Sequence, residues 1–260
     1  MRLTHLSLFT GIGGLDLAAE WAGFTTVGQC EFADYPTKVL ERHWPDVPRW
    51  RDIRTLTGES FYERTGLRTV DVIPGGFPCQ PFSVAGKQHG KNDERYLWPE
   101  MLRVIREIRP RVIVAENVSG LVRNALDDVL YSLEESEYKA RAYAFKASAV
   151  GAPFAGERIA IVAEANDWRA SLWGDAQFQT NGTVAGSGNH NGRRTEEFDA
   201  GEWWKIESRP YGVADGVPHR VDRLKCLGNA VVSKQFYPIF QAIWAVEHDE
   251  RRARDGKAEA

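Results

Sequence analysis

A single cysteine stands between two prolines on a loop that follows a short predicted strand. Residues 70–73 form a β-branched run typical of a buried strand, and Pro74 with the two glycines after it is expected to end that strand. Cys79 follows between Pro78 and Pro81, whose rings restrict the backbone and help aim the sulfur. A free thiol has a pKa near ~8.5, and its minor thiolate fraction at neutral pH is very nucleophilic. Cys79 is therefore a candidate nucleophile, although a lone cysteine is more often a small buried hydrophobic residue.

A carboxylate is predicted at the same edge of the sheet. Residues 112–115 form a second buried strand, and Glu116 stands at its end. In an open α/β sheet, the carboxyl ends of the strands form the edge where ligands and reacting groups lie. Two reactive groups on neighbouring strand ends favour a catalytic site over a solvated acid. Arg158 stands at the entry to a further strand at residues 159–163, which we expect to form a hairpin with residues 138–145 on the far edge of the sheet.

A glycine-rich turn between a strand and a helix is typical of a nucleotide-binding site. Residues 3–9 are a strand candidate, glycines fill most of positions 11–14, and residues 15–22 have helical character. Glycines let the backbone approach a ligand closely, and the N–H groups at the helix start attract polar or anionic groups. Glu31, about twenty residues past the first glycine, ends the next strand and suits the two hydroxyls of a ribose. Asp52 could accept a hydrogen bond from an adenine amino group or simply form a turn.

The composition is that of a soluble globular protein. Of the 260 residues, 43% are hydrophobic and 27% are charged, and we expect neither a membrane span nor a secretory leader. Three widely separated cysteines (Cys30, Cys79 and Cys226) form neither a disulfide framework nor a zinc site, so we expect a cytoplasmic protein without a metal. The net charge of −3 does not indicate a nucleic-acid-binding protein, so any DNA contact needs a local basic surface.

The composition changes after residue 163. Residues 166–194 are rich in Trp, Gly, Asn, Gln and Thr without a clear period, and we interpret residues 164–219 as a small appended module that orders on a partner. Residues 236–246 form an amphipathic helix, and the highly charged residues 247–260 are expected to fray into solvent. The polar stretch 85–93 fits either a lid over a nucleic-acid backbone or a plain surface loop.

The combined motifs resemble those of the DNA (cytosine-5) methyltransferases, as in a short bacterial or phage-type member. They occur in that family's order, at residues 9–14, Glu31, Asp52, residues 78–80, residues 116–118, Arg158 and residues 228–231. The resemblance implies an α/β fold, the doubly wound sheet of S-adenosylmethionine-dependent methyltransferases with a small inserted target-recognition domain. It divides the chain into a catalytic cofactor-binding domain at 1–163, a small target-recognition domain at 164–219, a return segment packing on the catalytic domain at 220–246 and a charged tail at 247–260.

The resemblance implies S-adenosylmethionine as the cofactor. Glu31 would hold the ribose, and Asp52 with Ile53 would contact the adenine. The complete set of cofactor contacts implied is Phe9, Gly11, Ile12, Gly13, Gly14, Glu31, Phe32, Asp52, Ile53, Pro78, Leu97, Asn229 and Val231.

The implied reaction is methyl transfer to carbon 5 of a cytosine in a short double-stranded DNA target. The Cys79 thiolate would add to carbon 6, Glu116 would donate or share a proton at ring nitrogen 3, and Arg158 would hold the oxygen at position 2. The ring faces are inaccessible in a stacked duplex, so the family flips the base out. An RNA cytosine-5 methyltransferase and a catalytically inactive DNA-binding relative remain alternatives, and a nicotinamide enzyme is a distant one.

The resemblance also implies double-stranded DNA as the partner, with no membrane. We expect a monomer and a companion restriction endonuclease. The expected DNA contacts are Gln80, Ser83, Lys87, Arg193, Arg194 and Lys205. The sequence departs from the family pattern before Arg158, where Phe154 and Gly156 replace the usual Gln and Arg, and at Ser233, where a proline is common.

Overall fold

The strands of the chain form one mixed sheet. The computed structural model describes residues 2–78, 96–167, 222 and 230–258. Within these ranges the strands are β1 (Leu3–Leu8), β2 (Phe24–Cys30), β3 (Arg49–Trp50), β4 (Val72–Gly75), β5 (Val112–Val118), β6 (Tyr138–Lys146) and β7 (Glu157–Ala165). Their order is β3-β2-β1-β4-β5-β7-β6, in which β1 to β5 are parallel and β7 is antiparallel to both of its neighbours. This confirms the doubly wound sheet and the hairpin at its far edge.

Helices cover both faces of this sheet. They are α1 (Gly14–Trp21), α2 (Asp34–His43), α3 (Gly58–Thr65), α4 (Trp98–Ile108), α5 (Leu121–Asn124), α6 (Leu126–Glu134) and α7 (Ser233–Ala258). Successive side chains of β4 and β5 alternate between two cores, because strand residues point to opposite faces. Val72, Val112 and Val114 pack with α1 and α7. Ile73, Ile113 and Ala115 pack with α3, α4 and α6. Burial on both faces explains the continuous apolar runs of these central strands.

The strand before Cys79 lies two residues later than the sequence indicated. β4 includes Pro74 and Gly75, which we expected to end it. The ladder towards β1 pairs only Val72 and Gly75. Pro74 has no N–H to donate, and it lies where the ladder with β1 is interrupted, so the strand tolerates a proline there. A side chain at Gly75 would lie 2.9 Å from Met101 and 3.1 Å from the backbone of Leu8, so tight packing explains the glycine within a strand.

Polar side chains lie at the starts of α2 and α3. Asp34 is the first residue of α2, and its carboxylate pairs with Arg51 at 2.5 Å. The helix α3 was missed, because its capping box joins Thr57 to Ser60 instead of to the more recognisable Glu or Gln.

The last helix extends beyond the point where we expected a charged tail. α7 continues to Ala258, and Glu247 is fully buried on the helix face that also carries Phe240 and Ile243. Its carboxylate accepts a hydrogen bond of 2.5 Å from Arg111, which precedes β5. The same guanidinium lies 3.9 Å from Asp71, before β4. These contacts fix α7 to the amino-terminal edge of the sheet. Among the described helices, none is long and apolar enough to cross a bilayer.

This arrangement predicts that Glu247→Ala destabilises the protein. The substitution removes a buried partner of Arg111 and should lower the free energy of unfolding by about 2 kcal/mol in urea denaturation. Gln241→Ala on the exposed side of α7 is the control and should change it by less than about 0.5 kcal/mol. Equal stability of the two variants would mean that Glu247 belongs to a frayed tail.

Candidate active site

A largely buried ion pair lies at the carboxyl edge of the sheet. In the antiparallel register of β5 and β7, Glu116 lies opposite Ala160 and Arg158 lies opposite Val118, so the acid and the arginine are diagonal neighbours on one face. The Arg158 Nε lies 2.8 Å from Glu116 Oε1. Only 12% of the Glu116 side chain and 21% of the Arg158 side chain are exposed. The structure therefore brings together two of the three predicted catalytic residues.

Burial changes the protonation of Glu116. Desolvation raises the pKa of this carboxyl to about 7, even though the nearby Arg158 guanidinium opposes the rise. A carboxyl with such a pKa is present in both protonation states at neutral pH. It can therefore donate, or share, a proton with a ring nitrogen, as a general acid requires.

The backbone that leads to Cys79 passes directly beside this carboxylate. β4 is parallel to β5, with Gly75 opposite Ala115. A Cβ atom at Gly76 would lie 2.9 Å from Glu116 Oε2, so a side chain at 76 would press on the acid. The Asn117 side chain donates a hydrogen bond of 3.0 Å to the carbonyl of Phe77. These contacts fix the chain up to Pro78, whereas Cys79 itself lies outside the described residues.

The other cysteine at a strand end is not a nucleophile. Cys30, the last residue of β2, is buried. Burial raises the pKa of its thiol to about 12, and the nearby acids Glu31 and Asp52 add to the rise. The thiolate is therefore essentially absent at neutral pH.

Backbone hydrogen bonds join Glu31 to the glycine turn and to the residue before α2. Gly11 N–H donates to Glu31 Oε2 at 2.7 Å, and Ala33 N–H donates to Oε1 at 2.8 Å. These bonds fix the carboxylate at the end of β2, and each oxygen retains lone-pair capacity for a ribose hydroxyl. Phe9 has φ of 51°, a left-handed conformation that is uncommon outside glycine and often found at functional sites.

Two glycines allow close contacts between the turn and other segments. A Cβ atom at Gly13 would lie 2.5 Å from the Trp44 ring, and one at Gly14 would lie 2.6 Å from the carbonyl oxygen of Val231. The return segment thus packs directly on the start of α1. This contact is made by Val231, which is one of the predicted cofactor contacts. Asn229, predicted beside it, is not among the described residues.

The predicted adenine contacts surround the end of β3. Asp52 Oδ1 accepts a hydrogen bond of 2.9 Å from the backbone of Arg54, so the turn role foreseen for it is present. Ile53 is buried, whereas Phe32 is 75% exposed and can offer an apolar face to a ring. Pro78, Leu97 and Ile12 are partly buried. The residues next to them in sequence, Phe77 and Trp98, contact each other with ring centroids 4.9 Å apart.

Sequence reasoning missed two buried polar residues that support the site. Asp16, in the first turn of α1, accepts hydrogen bonds from Ser7 of β1 at 2.8 Å and Gln29 of β2 at 2.9 Å. Gln235, in the first turn of α7, donates to the carbonyl of Gly156 at 2.9 Å. An acid in a first helical turn is a weak local signal for Asp16. No local signal exists for Gln235, because its partners lie about 80 residues away. The predicted DNA contacts Gln80, Ser83, Lys87, Arg193, Arg194 and Lys205 fall outside the ranges that the structure describes.

Curated proteins with similar sequences are Type II methyltransferases by name. The Type II methyltransferase M.AquIA of Picosynechococcus is 34% identical over 178 residues, covering 62% of this chain and 72% of the relative. M.NgoMIV of Neisseria gonorrhoeae is 40% identical over 126 residues, covering 47% of this chain. The match spans only 38% of the length of M.NgoMIV, and 39% and 42% of two further relatives.

The fold and a family model agree with these relatives. A mutant of DNMT2 from Spodoptera frugiperda superposes with a TM-score of 0.54 at 24% identity, covering 64% of this chain and 51% of that chain, which shows the shared fold. The model of C-5 cytosine-specific DNA methylases matches residues 3–209, well over half of the sequence. The chain belongs to the C-5 cytosine-specific DNA methylase family.

Proposed function

We propose that this protein transfers a methyl group from S-adenosylmethionine to carbon 5 of a cytosine flipped out of double-stranded DNA. One observation carries the proposal. The Glu116–Arg158 pair, joined at 2.8 Å, lies beside the backbone that leads to Cys79. Cytosine presents N3 and O2 as adjacent acceptors on one edge. A protonated Glu116 and an Arg158 guanidinium are adjacent donors on one face of the sheet, and they match that edge.

The cofactor pocket fits the proposed donor molecule. Gly11 has open space where a Cβ atom would lie and so leaves room for close backbone approach, Glu31 is oriented by two backbone N–H groups, and Phe32 offers an exposed apolar face. When bound, S-adenosylmethionine supplies an electrophilic methyl group on a sulfonium. The residues of the chain would hold its ribose and adenine at the edge of the sheet to which the cytosine must come.

The protein residues would then make carbon 5 of the cytosine nucleophilic. The Cys79 thiolate adds to carbon 6, forming a carbon–sulfur bond and giving the ring enamine character at carbon 5. Glu116 supplies a proton at N3, so that negative charge does not accumulate on the ring. Arg158 binds O2, with donors that its contact with Glu116 leaves available. After methylation, the carbon 5 proton passes to solvent water, Cys79 is expelled as the thiolate, and N3 returns its proton to Glu116, which restores the aromatic ring.

Because the Glu116–Arg158 pair is largely buried, a cytosine could contact it only after flipping out of the duplex. A stacked cytosine cannot reach a carboxyl that is only 12% exposed, so the base must leave the duplex at a cost of a few kcal/mol. We infer that residues 164–219 form the target-recognition domain that offsets this cost. Gln80, Ser83, Lys87, Arg193, Arg194 and Lys205 are the DNA contacts we propose.

The cellular setting follows from the same proposal. The relatives are named Type II methyltransferases, and this name supports a companion restriction endonuclease for the present chain. We infer that the protein acts as a monomer in the cytoplasm, where a free Cys79 thiol stays reduced.

The role of Cys79 gives the direct test of this function. Cys79→Ser should abolish tritium transfer from labelled S-adenosylmethionine to duplex DNA, because a serine hydroxyl is a far weaker nucleophile at carbon 6. It should also abolish covalent trapping on DNA that contains 5-fluorocytosine. Cys30→Ala is the matched control and should keep the activity, since its thiol is buried.

Each competing interpretation has a distinct outcome in that assay. Full activity of Cys79→Ser would overturn the mechanism. Methyl transfer to transfer RNA but not to duplex DNA would identify an RNA methyltransferase, and binding of DNA without any transfer by the wild type would identify an inactive relative.

The close contact at Gly14 predicts a binding defect. Gly14→Ala places a methyl group 2.6 Å from the Val231 carbonyl oxygen and should push the return segment away from the pocket. We expect S-adenosylmethionine affinity in isothermal titration calorimetry to fall about tenfold. Gly58→Ala is the control, because its new Cβ would make an ordinary 3.5 Å contact with Glu107. Equal affinities for the two variants would exclude the return segment from the cofactor pocket.

A further inference from the structure

The turn before Arg158 has an unusual backbone that needs outside support. Gly156 has φ of 45°, and a Cβ atom there would lie 2.7 Å from the Phe154 ring and 3.0 Å from Ala147. Ala147 N–H donates to the carbonyls of Ala155 at 2.7 Å and Gly156 at 3.3 Å. The turn therefore presents its carbonyl groups inward, two residues before the arginine at the start of β7.

One side chain from a distant helix contacts both sides of this hairpin. The Gln235 amide donates hydrogen bonds to the Gly156 carbonyl at 2.9 Å and to the Phe145 carbonyl at 3.4 Å. Phe145 is the residue of β6 that lies directly opposite Arg158 in the register. Gln235 thus bridges the residue two positions before Arg158 and the residue across from it.

Packing around the amide fixes its position. Gln235 is only 4% exposed, and its backbone N–H donates to the Val232 carbonyl at 2.8 Å. The next residue, Phe236, packs edge-to-face on Phe145 with ring centroids 5.3 Å apart. A buried amide whose N–H donors are satisfied by two carbonyls is held firmly, because leaving those N–H groups unpaired would be costly.

We infer that Gln235 is a positioning residue for Arg158, holding the β6–β7 hairpin so that the guanidinium reaches Glu116 and the cytosine. The inference rests on the proposed function for the role of Arg158 at the base. Gln235 touches neither reacting atom, so it acts through the backbone at Gly156 and Phe145. It also joins this hairpin to the segment that packs on Gly14, since Val231 lies just before α7.

Displacement of Arg158 has a defined effect on Glu116. In the described part of the chain, Arg158 is the charged group that lowers the pKa of this carboxyl, against the larger rise caused by burial. A misplaced guanidinium would therefore raise the pKa of Glu116 further. An acid with a higher pKa keeps its proton to higher pH, so the fall in activity that accompanies deprotonation of Glu116 should move upward in pH.

The test compares Gln235→Met with Gln241→Met in the full chain. Methionine keeps the length and the helix propensity of glutamine but removes its donors, and Gln241 is an exposed glutamine on the same helix. With duplex DNA as the substrate, kcat is calculated per S-adenosylmethionine-binding site. We expect this kcat to be about tenfold lower for Gln235→Met than for Gln241→Met. The Kd for S-adenosylmethionine should stay within about twofold, and the alkaline limb of the pH–rate profile should shift upward by about half a unit.

The outcomes separate this inference from the proposed function. Identical kcat and pH profiles for the two variants would overturn the positioning role. If the wild type transfers no methyl group to duplex DNA, the proposed function fails. The inference is then decided by ¹³C NMR titration of the Glu116 carboxyl, which should have a higher pKa in Gln235→Met than in Gln241→Met, and an unchanged pKa would overturn it.

Discussion

The site depends on a carboxyl group held out of water against a guanidinium. Burial alone would keep Glu116 protonated well above the pH at which a free glutamate ionises, and Arg158 at 2.8 Å moderates that effect. The balance leaves a pKa of about 7, which suits proton donation to a weakly basic ring nitrogen. A solvated acid at the same strand end would be ionised and could not supply that proton.

The direction of β7 makes this pair available. In a fully parallel sheet, the first residue of a strand lies at the edge opposite to the last residue of its neighbour. Because β7 runs antiparallel to β5, its second residue, Arg158, lies beside the end of β5 and so beside Glu116. The parallel pair β4–β5 brings the Gly76–Pro78 backbone to the same edge. One antiparallel strand in a doubly wound sheet thus places acid, arginine and the approach to Cys79 together.

Much of this arrangement could be predicted from the sequence, because the signals are local. The glycine turn, the acid ending β2 and the buried run before Glu116 each occupy a few consecutive residues. Strand alternation also indicated the β6–β7 hairpin. Local signals failed where distant residues decide the outcome. The strand β4 continues through Pro74 because its ladder with β1 is interrupted between Val72 and Gly75. Glu247 is buried because Arg111 reaches it across 136 residues of sequence, although charge alone suggested a solvated tail.

Site residues that act through the backbone were the hardest to foresee. Gln235 is an ordinary glutamine in an amphipathic helix until the hairpin carbonyls of Gly156 and Phe145 are placed against it. The role of Asp16 likewise becomes evident only when α1 is placed against β1 and β2, whose side chains donate hydrogen bonds to it. The roles of such residues depend on packing between elements, and the periodicity within one element does not reveal these roles.

The proposed proton donation requires that Glu116 retain its proton near neutral pH. Titration of the wild-type protein labelled with ¹³C at the glutamate carboxyl carbons measures this directly, with the Glu116 signal assigned from Glu116→Gln. A midpoint near pH 7 is expected for this one carboxyl, well above the ordinary glutamate pKa of 4.5. A midpoint at that ordinary value would show that the acid is ionised in the folded protein and would contradict its role as the proton donor.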